Sequence, residues 1–305
     1  MIIAQTLNSA AAKLKSANIT LPHLEAEILL SGVLKKPREF LLTHGEKAIS
    51  KMQTTKLKKL AKRRLKGEPI AYLTGHREFY GLDFLVNKNV LIPRPETELM
   101  VEEALKIAAH SSQPATLIDI GTGSGCIIIT LAKLLNKELG IMNYGLKAID
   151  ISSKALTVAK KNAQIHQVNM NIKFIKGDLL TPIIHDSSFI IHNSLVILAN
   201  LPYGWKAWKN NCSMDTVGLK YEPGIALFTG KNGLELYEKL FKQIKILTSK
   251  LKTGGHLLCE FDPRQTKLMK TLIKRILPEA KCQIKKDLAG LNRLAIITLS
   301  PNLLW

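Results

Sequence analysis

The sequence lacks the features that mark membrane-spanning and secreted proteins. Its 305 residues contain no run of the roughly 18 uninterrupted apolar residues that a helix needs to cross a bilayer. The opening stretch "MIIAQTLNSAAAKLKSANIT" lacks the basic start and apolar core of a secretory signal. We therefore expect neither a secretory signal nor an association with membranes.

Cysteine is scarce and scattered. The four cysteines form no CxxC pair, and the eight histidines do not cluster with them at the spacing of a metal site. They are Cys126, Cys212, Cys259 and Cys282. We therefore expect no zinc or other metal site, and a reduced, cytoplasmic compartment.

Acidic residues are also few, 24 against 44 lysines and arginines, which gives a net charge of +20. Such a surplus favours weak contact with RNA or the ribosome, although the composition of an AT-rich genome would produce it as well. Residues 35–66 hold twelve basic and two acidic residues. There Leu57, Leu60, Ala61 and Leu65 have helical spacing, which predicts a helix with one apolar side and a basic side in water.

The patterns that are present divide the chain into three parts. Residues 1–75 show helical periodicity and predict a small all-helical domain. Residues 76–94 alternate apolar and polar side chains around Gly81, which predicts a hairpin linker. Residues 95–305 alternate strands with helices and end in two adjacent strands. This order predicts an α/β fold, a doubly wound, mostly parallel sheet with an antiparallel edge.

A glycine-rich turn follows the first strand of this sheet, in "LIDIGTGSGC". Glycines there let the backbone pass close beneath a ligand, and the helix that follows offers free N–H groups. A dinucleotide site would carry GxGxxG, but the third of those positions holds Cys126. The turn therefore suits a ligand without a pyrophosphate. Its candidate binding residues are Asp119, Gly121, Thr122, Gly123, Ser124 and Gly125.

Acidic residues end three consecutive predicted strands, at Asp119, Asp150 and Asp178. Asp150 can accept hydrogen bonds from the hydroxyls of an adenosine ribose, and Asp178 can reach the amine of an adenine ring. Each acid by itself could equally be a turn or helix-capping residue. Taken with the glycines, the three acids favour a nucleoside ligand with a sulfonium and no phosphate, S-adenosylmethionine.

The fourth strand ends in "ANLPY", at the sheet edge where open α/β folds bind ligands. The Asn200 side-chain oxygen and the Leu201 carbonyl can both accept hydrogen bonds from one planar NH₂ group. Pro202 stiffens the turn, and Tyr203 offers a face on which an amide or a base can stack. Such a clamp would act by positioning a weak nucleophile beside a methyl group. The alternative is a strand-ending turn with a buried tyrosine.

The sequence resembles the bacterial protein-glutamine methyltransferases that modify peptide chain release factors. "GEPIAYLTGHREFYGLDFLVNKNVLIPRPETE", "DIGTGSGC", "AIDIS", Asn-x-Pro-Tyr, "YEPGIALFTGKNGL" and "KDLAGLNR" follow in the family's order. The resemblance implies a helical domain that docks the release factor, a hairpin, and a Rossmann-like class I methyltransferase domain.

By the same resemblance, the substrate is the glutamine of the Gly-Gly-Gln motif in class-1 release factors, methylated at its side-chain amide nitrogen. Asn200 to Tyr203 would hold this glutamine, and Asn200 would also border the cofactor. Leu179 falls where the family often places a bulky residue beside the adenine. We expect the chain to act as a monomer.

One position of the site departs from the family's pattern. The family usually reads Asn-Pro-Pro-Tyr, whereas this chain has Leu201 in the second place. Asn-Leu-Pro-Tyr also occurs in ribosomal RNA adenine dimethyltransferases, so an adenine amine in RNA or DNA is an alternative substrate. The "IPRPETE" segment and the helical N-terminal part favour glutamine. A third hypothesis is a non-catalytic, ribosome-associated binding module that keeps the fold.

Overall fold

A computed structural model describes residues 1–109, 115–138, 145–186, 195–205, 218–230, 232–248 and 254–299. These residues form two compact units. One holds Met1–His76 with residues 218–221, and the other holds the described residues from Arg77 to 205 and from Glu222 to 299. None of the helices in these ranges has both the length and the apolar content that crossing a bilayer requires.

The N-terminal unit is helical. Its helices are α1 (Ile3–Lys15), α2 (Pro22–Leu34), α3 (Arg38–Thr43), α4 (Lys51–Arg64) and α5 (Ile70–Thr74), with a 3₁₀ turn at Gly218–Tyr221. Helix α4 begins at a capping box, in which the Gln53 amide donates to Ser50 Oγ over 3.1 Å and the Ser50 amide donates to Gln53 Oε1 over 2.9 Å. Apolar side chains of these helices, such as Leu14 and Leu29, form a separate core.

The structure corrects one detail of the predicted basic helix. Leu57 and Ala61 are buried, as the spacing predicts, but Leu65 is 41% exposed because α4 ends one residue earlier. Arg64 is buried in its place, and its guanidinium donates to Glu25 of α2 over 2.7 Å. The carboxylate neutralises the charge that burial would otherwise penalise. The lysines of α4 at positions 56, 58, 59 and 62 are exposed.

A two-stranded hairpin follows the helices, with β1 (His76–Phe79) and β2 (Leu82–Leu85), and all of its residues after His76 belong to the second unit. Tyr80 and Gly81 form its turn, both with positive φ (52° and 72°), as two-residue hairpin turns require. Phe79 and Phe84 are buried, so one face of the hairpin joins the core. The hairpin that Gly81 predicts is therefore present.

The rest of the second unit alternates strands and helices. They are α6 (Glu98–Ala109), β3 (Thr116–Ile120), α7 (Cys126–Glu138), β4 (Gly145–Asp150), α8 (Ser153–Ile165), β5 (Ile172–Lys176), α9 (Thr181–Ile184), β6 (Leu195–Ala199), α10 (Gly224–Leu227), α11 (Glu235–Thr248), β7 (Gly255–Glu260), α12 (Thr266–Ile276), β8 (Lys281–Lys286) and β9 (Asn292–Leu299). Two further 3₁₀ turns lie at Pro95–Thr97 and Pro263–Gln265.

Within the described residues, the large sheet has seven strands in the order β5-β4-β3-β6-β7-β9-β8. The first five are parallel, and β9 pairs antiparallel with both β7 and β8. The chain runs outward from β3 to β5 and then returns to the other side of β3 as β6. The predicted doubly wound fold with an antiparallel edge is confirmed, and its topological switch point lies between β3 and β6.

The inner strands of the sheet, such as β3, β6 and β7, are buried on both faces. In β3, Ile118 and Ile120 pack into one apolar cluster and Leu117 into the other, as alternating side chains of a strand must. All five residues of β6 are buried. Interior positions of these strands therefore carry apolar residues, and most polar groups stand at the strand ends.

Candidate functional site

The glycine-rich turn lies at the switch point, directly after β3. The amides of Gly121 and Thr122 both donate to the carbonyl of Ile149 in β4, over 2.8 and 3.1 Å, so the turn is tied to the neighbouring strand. Gly125 has φ +82°, and a Cβ there would lie 2.7 Å from the Ile129 side chain. Only glycine fits this position, which lets α7 begin close to the sheet.

Asp119 is the buried acid beneath this turn. Its Oδ2 accepts a hydrogen bond from the Thr122 hydroxyl over 2.6 Å, and its Oδ1 has no hydrogen-bond partner in the part of the chain that the structure describes. Burial raises the pKa of Asp119 to about 7, the bond from Thr122 opposes the rise, and the charge of Asp150 adds to it. The pKa of Asp119 therefore lies near neutrality. Its hydrogen bond with Thr122 connects β3 to the glycine turn.

Asp150 ends β4 beside the turn and is 8% exposed. Its Oδ2 accepts the amide of Gly123 over 2.9 Å, and its Oδ1 accepts the amide of Ser152 over 2.8 Å. Burial raises the pKa of this carboxyl, and the two amides oppose the rise. Each carboxylate oxygen can accept a further hydrogen bond, so Asp150 can also bind hydroxyl groups of a ligand.

Asp178 and Leu179 follow β5 next to Asp150, since the Gly177 amide donates to the Asp150 carbonyl over 3.0 Å. The Asp178 carboxylate forms an ion pair with Lys239, and the two side chains are 41% and 50% exposed, respectively. Leu179 is buried and has φ +53°, a conformation that few non-glycine residues adopt.

The Asn200 side chain follows β6, on the other side of the glycine turn. Its Nδ2 donates to the Thr97 hydroxyl over 3.0 Å. Thr97 is 2% exposed and ends the 3₁₀ turn that precedes α6. Because this bond uses the amide nitrogen, the oxygen Oδ1 is oriented away from Thr97 and is the atom that can accept from a ligand.

Leu201 brings this segment against the glycine turn. Its side chain is buried and lies 3.3 Å from where a Cβ on Gly121 would stand. Its amide donates to the hydroxyl of Tyr237 over 3.2 Å. Tyr237 belongs to α11 and is fully buried. Leucine at position 201 therefore has a backbone N–H, and this N–H forms a buried hydrogen bond with Tyr237.

Tyr203 is half-buried at the end of the segment. Its hydroxyl donates to Glu260 Oε1 over 3.1 Å, and its carbonyl accepts from Gln265 Nε2 over 2.9 Å. Burial and then the charge of Glu260 hold the pKa of Tyr203 well above its ordinary value. The phenol therefore stays neutral. The hydrogen bonds of its hydroxyl and of its backbone carbonyl hold the ring in place, and the residue remains partly accessible to solvent.

The structure brings together most of the predicted site residues. Asp119, the glycine turn and Asp150 lie on one side of the switch point, and the segment 200–203 lies on the other. Sequence reasoning missed the residues that hold this segment, namely Thr97, Tyr237, Glu260 and Gln265. No spacing rule could identify them, because each joins the segment through the tertiary fold, and Thr97 lies 103 positions from Asn200.

Comparison with family models matches two regions of the chain. Residues 5–75 match the PrmC N-terminal domain, and residues 111–271 match a methyltransferase domain. Among solved structures, the hMettl16 catalytic domain in complex with MAT2A 3'UTR hairpin 1 aligns over 82% of this chain and 81% of that chain, with a TM-score of 0.53 and 14% identity. At that identity the likeness shows the methyltransferase fold alone.

Two relatives align over most of the chain. The release factor glutamine methyltransferase of Koribacter versatilis is 37% identical over 263 residues, which cover 85% of this chain and 86% of that protein. The release factor glutamine methyltransferase of Nitratidesulfovibrio vulgaris is 34% identical over 288 residues, which cover 94% and 92%. The chain therefore belongs to the release factor glutamine methyltransferase family, whose enzymes use S-adenosylmethionine as the methyl donor.

Proposed function

We propose that this protein transfers a methyl group from S-adenosylmethionine to the side-chain amide nitrogen of the glutamine in the Gly-Gly-Gln motif of class-1 peptide chain release factors. The names of the two relatives support a release factor as the substrate. The observation that carries the proposal is the contact between two segments: Leu201, in the proposed glutamine clamp, packs against Gly121 of the glycine turn. A ligand on the turn and a group in the clamp would be neighbours.

The residues around the turn fit the cofactor. When bound, S-adenosylmethionine supplies a methyl group on a positively charged sulfur. Gly121 to Gly125, with Thr122, Gly123 and Ser124 between, would lie under its amino-acid part, and Asp119 would hold that turn from below. Asp150 would accept its ribose hydroxyls, and Leu179 would border its adenine ring. Asp178 would accept a hydrogen bond from the adenine amine in place of its ion pair with Lys239. Breaking that pair costs little free energy, because a solvent-accessible ion pair contributes little to stability.

The clamp would act by position. An amide nitrogen is a weak nucleophile because its lone pair is delocalised into the carbonyl. Asn200 Oδ1 and the Leu201 carbonyl would accept its two N–H groups, and the half-buried ring of Tyr203 would support its plane. Pro202 would stiffen the backbone between these groups. Held this way, the nitrogen would face the methyl group, and positioning would supply most of the rate.

We also propose that three segments of the chain have separate functions. Residues 1–75 would dock the release factor, residues 76–94 would form a hairpin linker, and residues 95–305 would carry catalysis. The match of residues 5–75 to the PrmC N-terminal domain supports a separate N-terminal module. Its core of Leu14, Leu29 and their neighbours supports this as well, because all the buried residues of that cluster lie between Ile3 and Leu73.

The test is methyl transfer from labelled S-adenosylmethionine to three substrates side by side. We expect label on a release factor, and none on the same factor with its Gly-Gly-Gln glutamine changed to alanine. Ribosomal RNA is the third substrate, because an adenine amine is also a planar NH₂ group. Label on RNA with none on the release factor would contradict the proposal, and the absence of cofactor binding would support a non-catalytic module instead.

A further inference from the structure

We propose that Tyr237 is a positioning residue for methyl transfer, whose hydroxyl fixes the backbone between the two hydrogen-bond acceptors of the glutamine clamp. The inference rests on the proposed function of residues 200–203, because it concerns how that clamp keeps its shape. Tyr237 itself touches neither the proposed substrate nor the cofactor site. It acts through the amide of Leu201.

The hydroxyl of Tyr237 joins two neighbouring strands at their carboxyl ends. It lies 3.0 Å from the carbonyl of Ala199, the last residue of β6, and it also contacts the carbonyl of Glu260, the last residue of β7. A phenol has one proton to donate and can accept as well. It therefore donates to one of these carbonyls and accepts the amide of Leu201 over 3.2 Å.

The position of this amide gives the bond its importance. The Leu201 amide belongs to the same peptide plane as the carbonyl of Asn200. Fixing that plane fixes the backbone from which the Asn200 side chain departs on one side and the Leu201 carbonyl on the other. Pro202 then restricts the ψ angle of Leu201, which orients the Leu201 carbonyl. The distance between the two acceptors is thus set by one buried hydroxyl and one proline ring.

Leucine at position 201 makes this arrangement possible. A proline there would have a fixed φ but no N–H to donate, whereas leucine has a free φ and an N–H. At position 201, the hydrogen bond from the leucine amide to Tyr237 restrains the backbone that a proline ring would otherwise restrain. Burial raises the pKa of Tyr237 well above its ordinary value, so the phenol stays neutral and keeps the proton that it donates to a strand carbonyl.

The experiment is a double-mutant cycle with Tyr237→Phe and Leu201→Pro in the full-length enzyme. Tyr237→Phe removes the acceptor of the Leu201 amide, and we expect kcat for a release factor to fall about tenfold. The KM and the Kd for S-adenosylmethionine should change by less than roughly threefold, since the residues that contact either ligand remain. In the Leu201→Pro background the amide is already absent, so Tyr237→Phe should lower kcat by only about twofold.

Two further measurements separate positioning from general packing. The hydrogen-exchange rate of the Leu201 amide should rise at least about tenfold in Tyr237→Phe, and this holds as a test even if Leu201→Pro does not fold. Ile244→Val, a buried change in the same helix, serves as the control: it should lower the Tm and leave kcat unchanged.

The outcomes distinguish the two proposals. An active wild-type enzyme whose kcat survives Tyr237→Phe, or falls equally in both backgrounds, would overturn the role of Tyr237 alone. A wild-type enzyme that binds S-adenosylmethionine and methylates no release factor would overturn the proposed function, and the role of Tyr237 with it.

Discussion

At the scale of single residues, the site depends on polar atoms that already have protein partners. Asn200 uses its amide nitrogen for Thr97, and Asp150 uses one lone pair of each oxygen for a backbone amide. Each residue is thereby held in one orientation before any ligand arrives. The atoms that remain, Asn200 Oδ1 and the second lone pairs of Asp150, are those we assign to substrate and cofactor.

Asn200→Ala should lower kcat on the order of 10²-fold or more, because it removes one of the two acceptors that we propose orient the amide nitrogen. The Kd for S-adenosylmethionine should change less, and calorimetry with a methyl-transfer assay measures both. Asn171→Ala, an exposed asparagine outside the site, is the control and should leave both values unchanged. Unchanged turnover in Asn200→Ala would contradict the role of the clamp.

Asp150→Ala should weaken the binding of S-adenosylmethionine by roughly 1.5–3 kcal/mol through the loss of charge-assisted hydrogen bonds. Part of this loss comes from the Gly123 amide, which loses its acceptor and no longer fixes the glycine turn. Isothermal titration calorimetry measures the effect. A variant that binds the cofactor as tightly as the wild type would show that Asp150 does not hold the ribose.

Asp119→Asn should stabilise the ligand-free protein, and the gain should grow with pH. The pKa of Asp119 is raised from 3.8 to about 7 on folding, so ionisation opposes folding increasingly between these two values and fully above the upper one. Replacing the carboxyl removes that cost, which is on the order of 2 kcal/mol or more. Urea unfolding at roughly pH 4 and pH 8 measures it. An equal increase in the free energy of unfolding at both pH values would contradict the raised pKa of Asp119.

At the scale of secondary-structure elements, one buried side chain links the hairpin to the glycine turn. Asn162 of α8 is fully buried, and its Oδ1 accepts the Leu85 amide over 2.8 Å. Its Nδ2 donates to the Leu85 carbonyl over 3.0 Å and to the Ser124 carbonyl over 2.9 Å. Strand β2 and the glycine turn are therefore held by the same amide group.

Asn162→Leu should destabilise the second unit by about 2–3 kcal/mol, because it leaves an amide and two carbonyls buried without partners. It should also weaken S-adenosylmethionine binding, since Ser124 loses its restraint. Denaturant unfolding and calorimetry measure the two effects, with the exposed Gln164→Ala of the same helix as the control. A loss of stability without a loss of affinity would show that Asn162 supports the hairpin alone.

At the scale of the whole molecule, the net charge of +20 is the feature that methyl transfer to an amide leaves unexplained. The exposed lysines of α4 concentrate this charge on one helix face of the N-terminal unit. Such a surface attracts phosphate backbones by releasing counterions, and the attraction weakens with salt. It would bring the enzyme towards ribosomal RNA without any role in the chemistry.

The protein should therefore bind a ribosomal RNA fragment at low salt, with an affinity that falls roughly 10- to 100-fold between about 50 and 200 mM salt. Fluorescence anisotropy measures this affinity. Charge reversal on α4 should weaken binding more than the same charge change on exposed lysines of α8. Equal losses would attribute binding to total charge rather than to α4. The two triple variants change Lys58, Lys59 and Lys62 or Lys154, Lys160 and Lys161 to Glu.

Local patterns along the chain predict the elements of this protein and the place of its candidate site. Strand β6 is a continuous apolar run because a parallel strand buried on both faces has no polar side, and β3 departs from this pattern at the buried Asp119. The glycine turn and the segment 200–203 follow those strands directly. The family's motifs then identified the methyltransferase.

The side chains that position residues 200–203 become apparent only in the folded structure. The bonds from Asn200 to Thr97 and from Leu201 to Tyr237 join residues that lie 103 and 36 positions apart. Most buried polar groups find a partner, but the sequence contains many hydroxyls and carboxylates that could serve. Only the packing of α6, α11 and the sheet selects among them, because a hydrogen bond forms between atoms about 3 Å apart in space, whatever their separation along the chain.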